Sequence, residues 1–286
     1  MRTINSGILL VNKEPGMTSR KVSNLIGAKF GVKKVGHLGT LDPFATGLLI
    51  IALNEGTKVL PFLEDDTKTY VAVFKLGLLT STLDPEGEII EDKIIPEFKE
   101  SLIRETLDSF IGEITQIPPL TSAIRVDGKR LYEYAHAGEE IEVPSRQVMI
   151  HHIRLISYIH PYIEIEVSVS KGTYIRTLGE DIANKLGTHA STVVLTRTKQ
   201  GKLSVKNAKT IDELTLDDLI SPSVALSNFP IYKVDDIAIN DVRNGRKITV
   251  NSTAEIIQVV DNNGVLHALC RKNGPDYVPF RGFNLW

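Results

Sequence analysis

Asp42 is the first residue of this 286-residue chain whose setting suggests chemistry. It stands in GHLGTLDPFATG, residues 36–47, where three glycines and an Asp-Pro step constrain the backbone and His37 is the only other ionisable side chain. An aspartate before proline ordinarily caps a turn, because its carboxylate accepts nearby backbone N–H groups. A carboxylate on a loop can also act as nucleophile or proton acceptor, and such groups concentrate on loops held by a rigid scaffold. This segment alone leaves both readings open.

Several other chemistries are excluded by spacing. The segment does not satisfy GxGxxG and no GK[ST] occurs, so nucleotide cofactors lose support. His151 and His152 are adjacent, would face opposite sides of a strand and have no carboxylate at ligand spacing, so no metal site is expected. The single cysteine, Cys270, rules out an intramolecular disulfide and a multi-cysteine zinc site. It fits a reducing compartment, which makes the cytoplasm the expectation. The apolar run near the N-terminus is too short for a signal-peptide core, and no stretch approaches the roughly 20 apolar residues of a membrane span.

The elements that must position Asp42 follow from periodicity. GILLV at 7–11 predicts a buried strand ending at Glu14-Pro15-Gly16. A helix follows, capped by Thr18 or Ser19, with Val22, Leu25, Ile26 and Phe30 at helical spacing and Gly31 as its stop. LLIIAL at 48–53 suits a strand covered on both faces, which puts Asp42 in the loop feeding it. TYVAVFKLG at 69–77 places Tyr70, Ala72 and Phe74 on one strand face. Residues 99–111 predict an amphipathic helix through Leu102, Ile103, Leu107 and Phe110, and Asp127-Gly128 a hairpin. YIEIEVSVS at 162–170 is a strand that runs into a helix striped by Leu178, Ile182 and Leu186, so Arg176 stands at a strand-to-helix junction. TIDELTLDDLISPSVAL predicts another short helix, and SNFP at 227–230 a boundary before a small, mostly β segment.

Charge is balanced overall, 33 Lys+Arg against 35 Asp+Glu, but unevenly distributed. Residues 15–41 and 182–211 carry basic residues and no acid, whereas 84–105 is acidic. Two such basic blocks on one face would attract a polyanion despite the net charge of -2.

Taken together, GHLGTLDPFATG, KTYVAVFKLGLLTSTLD, SKGTYIRTLGEDIANKLG and LTRTKQG resemble, in order and spacing, the motifs of the bacterial TruB family of tRNA pseudouridine synthases. The likeness spans about residues 7–206 and includes PPLTSAIRVDGKRLYEYA, while the tail matches only loosely. It implies an α+β fold: a mixed, largely antiparallel central sheet flanked by helices over 1–229, and a small, mostly β PUA-like RNA-binding domain over 230–286. By the same resemblance Asp42 is the essential aspartate, Tyr70 the active-site tyrosine and Arg176 the arginine paired with the aspartate. His37 resembles the histidine that enters the T loop in place of the extruded base, and Lys13, Tyr174 and Leu195 match substrate-binding positions. The implied substrate is the T-loop uridine of tRNA, handled by a monomer with no cofactor, no metal and no obligatory protein partner. Glu14, Arg20-Lys21, Asn54, Gly56 and Val169 depart from the common family pattern. A noncatalytic RNA-binding module and a guide-RNA-dependent subunit are the alternatives on the same scaffold.

Overall fold

The structure is a computed structural model that describes residues 5–63, 67–119, 121–122, 125–126, 128–137, 139 and 141–285. Along the chain run β1 (Gly7–Lys13), α1 (Ser19–Phe30), β2 (Val35–Leu38), β3 (Thr46–Leu53) and β4 (Thr67–Leu76). A hairpin of β5 (Leu78–Thr80) and β6 (Ile89–Asp92), helix α2 (Glu100–Asp108) and β7 (Gly112–Gln116) follow. After the small pair β8 (Arg125–Val126) and β9 (Lys129–Arg130) and helix α3 (Leu131–Ala137) come β10 (Arg146–Ile159), β11 (Tyr162–Ser170), α4 (Ile175–Lys185), β12 (Ala190–Gln200) and β13 (Leu203–Ser204).

These strands form one mixed sheet in the order β1-β3-β12-β4-β11-β10-β7, with β2 beside β3 and β13 beside β12. Only the β12–β3 pairing is parallel; the others are antiparallel. β1 and β3 are buried on both faces, as their unbroken apolar sequences require. Leu9, Val11, Leu49 and Ile51 face the main core with Val22 and Ile26 of α1, and Ile8, Leu10, Leu48 and Ile50 face a second layer closed by Leu203, Val205 and Ile220. β4 alternates, burying Tyr70, Ala72, Phe74 and Leu76.

Phe74 packs so tightly under α4 that a Cβ added at Gly179 would lie 2.4 Å from its ring. Gly179→Ala is therefore expected to cost about 1–3 kcal/mol by overpacking, measured as a lowered denaturant midpoint. No helix among the described residues is long and apolar enough to cross a membrane.

Several expectations are met closely. Thr18 caps α1 by accepting from the Lys21 N–H, and Gly31 ends it in the left-handed region. Others are corrected. α2 stops at Asp108, and Leu102 lies on its exposed side while Ile103, Thr106 and Leu107 are buried. The helix expected within 210–226 is broken into a single 3-10 turn, Leu216–Asp218, and the short α5 (Pro222–Ala225). Asp218 closes a capping box with Thr215 that starts a turn, and Pro222 cannot continue one. β8 and β9 pair as the hairpin reading requires, although Asp127 itself lies outside the described residues. A β10 irregularity between Ile150 and His152 leaves both His151 and His152 exposed instead of alternating.

A second sheet comprises β14 (Ile231–Lys233), β15 (Ile248–Thr249), β16 (Ile256–Val260), β17 (Leu266–Asn273) and β18 (Asp276–Gly282), ordered β14-β16-β17-β18-β15. A helix that the sequence reading missed, α6 (Asp236–Arg243), packs on it through Ile239 and Val242. The two sheets share an apolar seam: Val59, Phe62 and Leu63 from the segment after β3 meet Leu226, Val260, Leu266, Leu269 and Phe283. Lys58 and Glu55 close its edge, bonding Gly282 O at 2.8 Å and Asn284 N at 2.8 Å.

Candidate active site

The Asp42 loop is fastened from several sides. Ser19, the first residue of α1, accepts from Leu41 N at 2.9 Å and donates to Leu41 O at 3.2 Å. Gly16 N and Lys13 Nζ both bond Pro43 O, at 2.9 and 2.8 Å. Asp42's own carbonyl accepts from Ala45 N at 3.1 Å. The carboxylate is thereby aimed without depending on its own side chain to cap the turn.

Arg176, the second residue of α4, meets that carboxylate side-on. Its Nε lies 3.0 Å from Oδ2, off the N–H axis, and its Nη2 bonds Oδ1 at 3.3 Å. The guanidinium is 3% exposed, whereas one third of the Asp42 side chain stays open to solvent. Burial pushes the Asp42 carboxyl above the usual carboxylate range; Arg176 pulls it back and the nearby Asp84 charge raises it further. The net result is an upward shift, so the counterion moderates the effect of burial without cancelling it.

The opposite end of the same guanidinium holds a second aspartate, Asp84, which the sequence reading does not single out as a site residue. Nη1 bonds Asp84 Oδ2, Thr82 O and Thr121 Oγ1, each at 2.9 Å. Asp84 is buried, and its Oδ1 accepts from the Thr82 hydroxyl and from Glu86 N at 3.0 Å. Thr80 fixes the turn by donating to Asp84 O at 2.8 Å and accepting from Asp84 N at 3.0 Å. Leu83 is held at φ 59, a left-handed conformation that costs a non-glycine residue about 1–2 kcal/mol. A signal for this was present: Thr-Leu-Asp-Pro occurs twice, at 40–43 and 82–85, and both aspartates converge on Arg176.

Lys13 is 1% exposed and its ammonium bonds Glu14 O and Pro43 O. Burial lowers its pKa to about 8, with Glu86 and Asp42 opposing. Tyr70 on β4 is 7% exposed, and burial raises its phenol while the adjacent Arg197 guanidinium lowers it. Leu195 on β12 stands opposite Ala72, two residues from Tyr70, and is 5% exposed. Asp42, Arg176, Lys13 and Tyr70 thus lie in one electrostatic neighbourhood.

His37 and Tyr174 stand at its margins. His37 is half-buried on β2; its Nδ1 is 3.1 Å from the Ser23 hydroxyl, and burial with the charges of Arg20 and Arg197 keeps its pKa below the ordinary histidine value. Tyr174 precedes α4 with its backbone clasped by Gln116, N to Oε1 at 3.0 Å and O to Nε2 at 3.2 Å, and its ring faces Arg146. The basic blocks are only partly available to a polyanion. Arg197 is fully buried, and Lys29 donates to the carbonyls of Ile211 and Asp212.

Known proteins converge on the same reading. Residues 28–175 match the family model described as TruB family pseudouridylate synthase, N-terminal domain. A protein from Caldanaerobacter subterraneus subsp. tengcongensis named tRNA pseudouridine synthase B is 37% identical over 281 residues, 97% of this chain and 99% of that one. One of the same name from Clostridium tetani is 40% identical over 247 residues, 85% of this chain and 86% of that one. A solved H/ACA ribonucleoprotein bound to a substrate RNA containing 2'-deoxyuridine shares the fold, with a TM-score of 0.71 at 22% identity over 98% of this chain and 86% of that one. By its own sequence and by its relatives, the chain belongs to the TruB family of pseudouridylate synthases.

Proposed function

We propose that this chain is a tRNA pseudouridine synthase that isomerises the T-loop uridine, with Asp42 as the reacting carboxylate. The observation that carries the assignment is a carboxylate fixed by Arg176 at 3.0 Å yet one-third open to solvent. The isomerisation breaks the N1–C1' bond, joins C5 to C1', takes a proton from C5 and places one on N1, with no net redox change. A single carboxylate suffices as nucleophile or as base. Tyr70 and Leu195 wall the base site, Lys13 and Arg176 balance the negative charge, and Tyr174 lines the approach. The uridine must leave its stack to reach Asp42, and His37 fills the space it vacates. Phosphate contacts from exposed lysines supply affinity that falls as salt rises. The enzyme works as a cytoplasmic monomer, with residues 1–229 doing the chemistry and 230–286 forming a PUA-like RNA-binding domain.

The direct test is incubation of the purified chain with an unguided T-arm stem-loop, followed by mapping of pseudouridine. Product at the T-loop uridine, and none when that uridine is replaced, is the expected result. No product without a guide RNA or added proteins refutes the assignment.

The pH profile of the single-turnover rate follows from two of these groups. At low pH the rate rises as Asp42 loses its proton, at a midpoint above that of an ordinary aspartate. Above about pH 8 it falls as Lys13 loses its charge. Lys13→Arg is expected to remove the high-pH limb, and a limb unchanged in that variant would assign it to another group.

A further inference from the structure

Among the described residues Arg197 has the largest fully buried side chain, yet no carboxylate among them pairs with it. A buried guanidinium is expensive unless its donors are engaged, so the acceptors it takes show what it is for. Its Nε donates to Leu48 O at 2.7 Å and its Nη2 to Gly39 O at 3.0 Å. Those carbonyls flank the Asp42 loop on either side. Its backbone pairs with Gly47 in the parallel β12–β3 ladder, so closely that a Cβ at Gly47 would meet Arg197 O at 2.4 Å. It is also paired with Tyr70 across the antiparallel β12–β4 ladder, which sets the two side chains on one sheet face. One residue therefore touches both ends of the loop that carries the reacting carboxylate and the tyrosine beside it.

We propose that Arg197 is a positioning residue for the reaction: its guanidinium draws the two ends of the Asp42 loop together against Tyr70 and so fixes where the carboxylate stands when the uridine arrives. The planar fork can hold two carbonyls at different points along the chain. The proposal rests on the reading of Asp42 as the reacting group, and its test separates the two.

Arg197→Lys retains the charge but replaces the fork with one ammonium that cannot grip both carbonyls in the same geometry. Its single-turnover rate on a T-arm stem-loop is expected to fall about 10²-fold, the scale of a small misplacement of a reacting group, with affinity for the stem-loop unchanged. Two measurements need no catalysis. Amide hydrogen exchange over residues 39–48 is expected to accelerate in this variant while β4 and β11 stay protected. In Arg197→Met the Tyr70 phenol, followed by ultraviolet titration against a Tyr70→Phe control, is expected to titrate higher than in the parent. Gly39→Ala tests the same grip with Arg197 intact: at φ +69 its methyl would lie 3.2 Å from Nη1, and the same pattern is expected in milder form. Wild-type rates in Arg197→Lys, equal losses of rate and affinity, or unchanged exchange over 39–48 would overturn the proposal. Failure of the Asp42 reading would appear instead as an active Asp42→Asn enzyme, with the exchange and titration results unaffected.

Discussion

An Asp42→Asn protein is expected to fold, to bind the T-arm stem-loop, and to form pseudouridine at least about 10⁴-fold more slowly than the parent, the upper range for loss of a positioned acid–base or nucleophilic group. Folding survives because the loop is tied by Ser19, Lys13 and Gly16 through backbone atoms, and Arg176 keeps Asp84 as counterion. The variant is expected to be at least as stable as the parent near pH 7. The reason lies in the direction of the Asp42 shift: a carboxyl whose folded pKa is raised is costly to ionise in the native state, and the amide removes that cost. A thermal melt at pH 7 and a single-turnover assay read both quantities on one preparation. Activity within tenfold of the parent would move the chemistry to another group.

Arg176→Met carries the second large effect, and it strikes stability and rate together. The substitution leaves Asp84, 3% exposed, with its charge uncompensated, and breaking a buried pair from one side costs about 3–5 kcal/mol. Asp42 loses its guanidinium at the same time and takes up a proton at higher pH. Two companion variants separate these consequences. Arg176→Lys keeps a charge near Asp84 but cannot span two carboxylates, so most of the stability returns while the rate stays low. Arg176→Met combined with Asp84→Asn removes both members of the buried pair; it is expected to recover stability and remain inactive, the non-additivity that a shared network produces. Recovery of activity in the double variant would show that Arg176 serves the fold alone.

The placement of the Asp42 loop was legible in the sequence because its signals are local. Glycines, an Asp-Pro step and an apolar run that needs two covered faces placed Asp42 before β3, and period-2 alternation put Tyr70 on one face with Ala72 and Phe74, the face that β4 buries. Arg176 at the head of α4 followed from the strand and the stripe on either side of it. Asp84 and Arg197 were missed for a common reason: their roles are set by partners more than ninety residues away. Arg176 lies 92 positions from Asp84, and Arg197 reaches back 149 and 158 positions to Leu48 and Gly39. In a basic stretch Arg197 reads as a surface charge, and nothing within its own neighbourhood announces burial. The single helix expected within 210–226 does not form because Pro222 and the Thr215–Asp218 cap both favour short turns. In α6 the cap at Asp235 was visible, but the surrounding strands dominated the reading.

The seam between the two sheets bears on how short this enzyme can be made. Val59, Phe62 and Leu63 lie on the stretch leading from β3 towards the strand that carries Tyr70, and their apolar cover is supplied largely by the last sixty or so residues. Truncation after Pro230 would uncover them, and an exposed patch of that kind invites self-association. A trimmed version is expected to precipitate or to need compensating polar replacements, so the tail works as a cover on the body of the molecule.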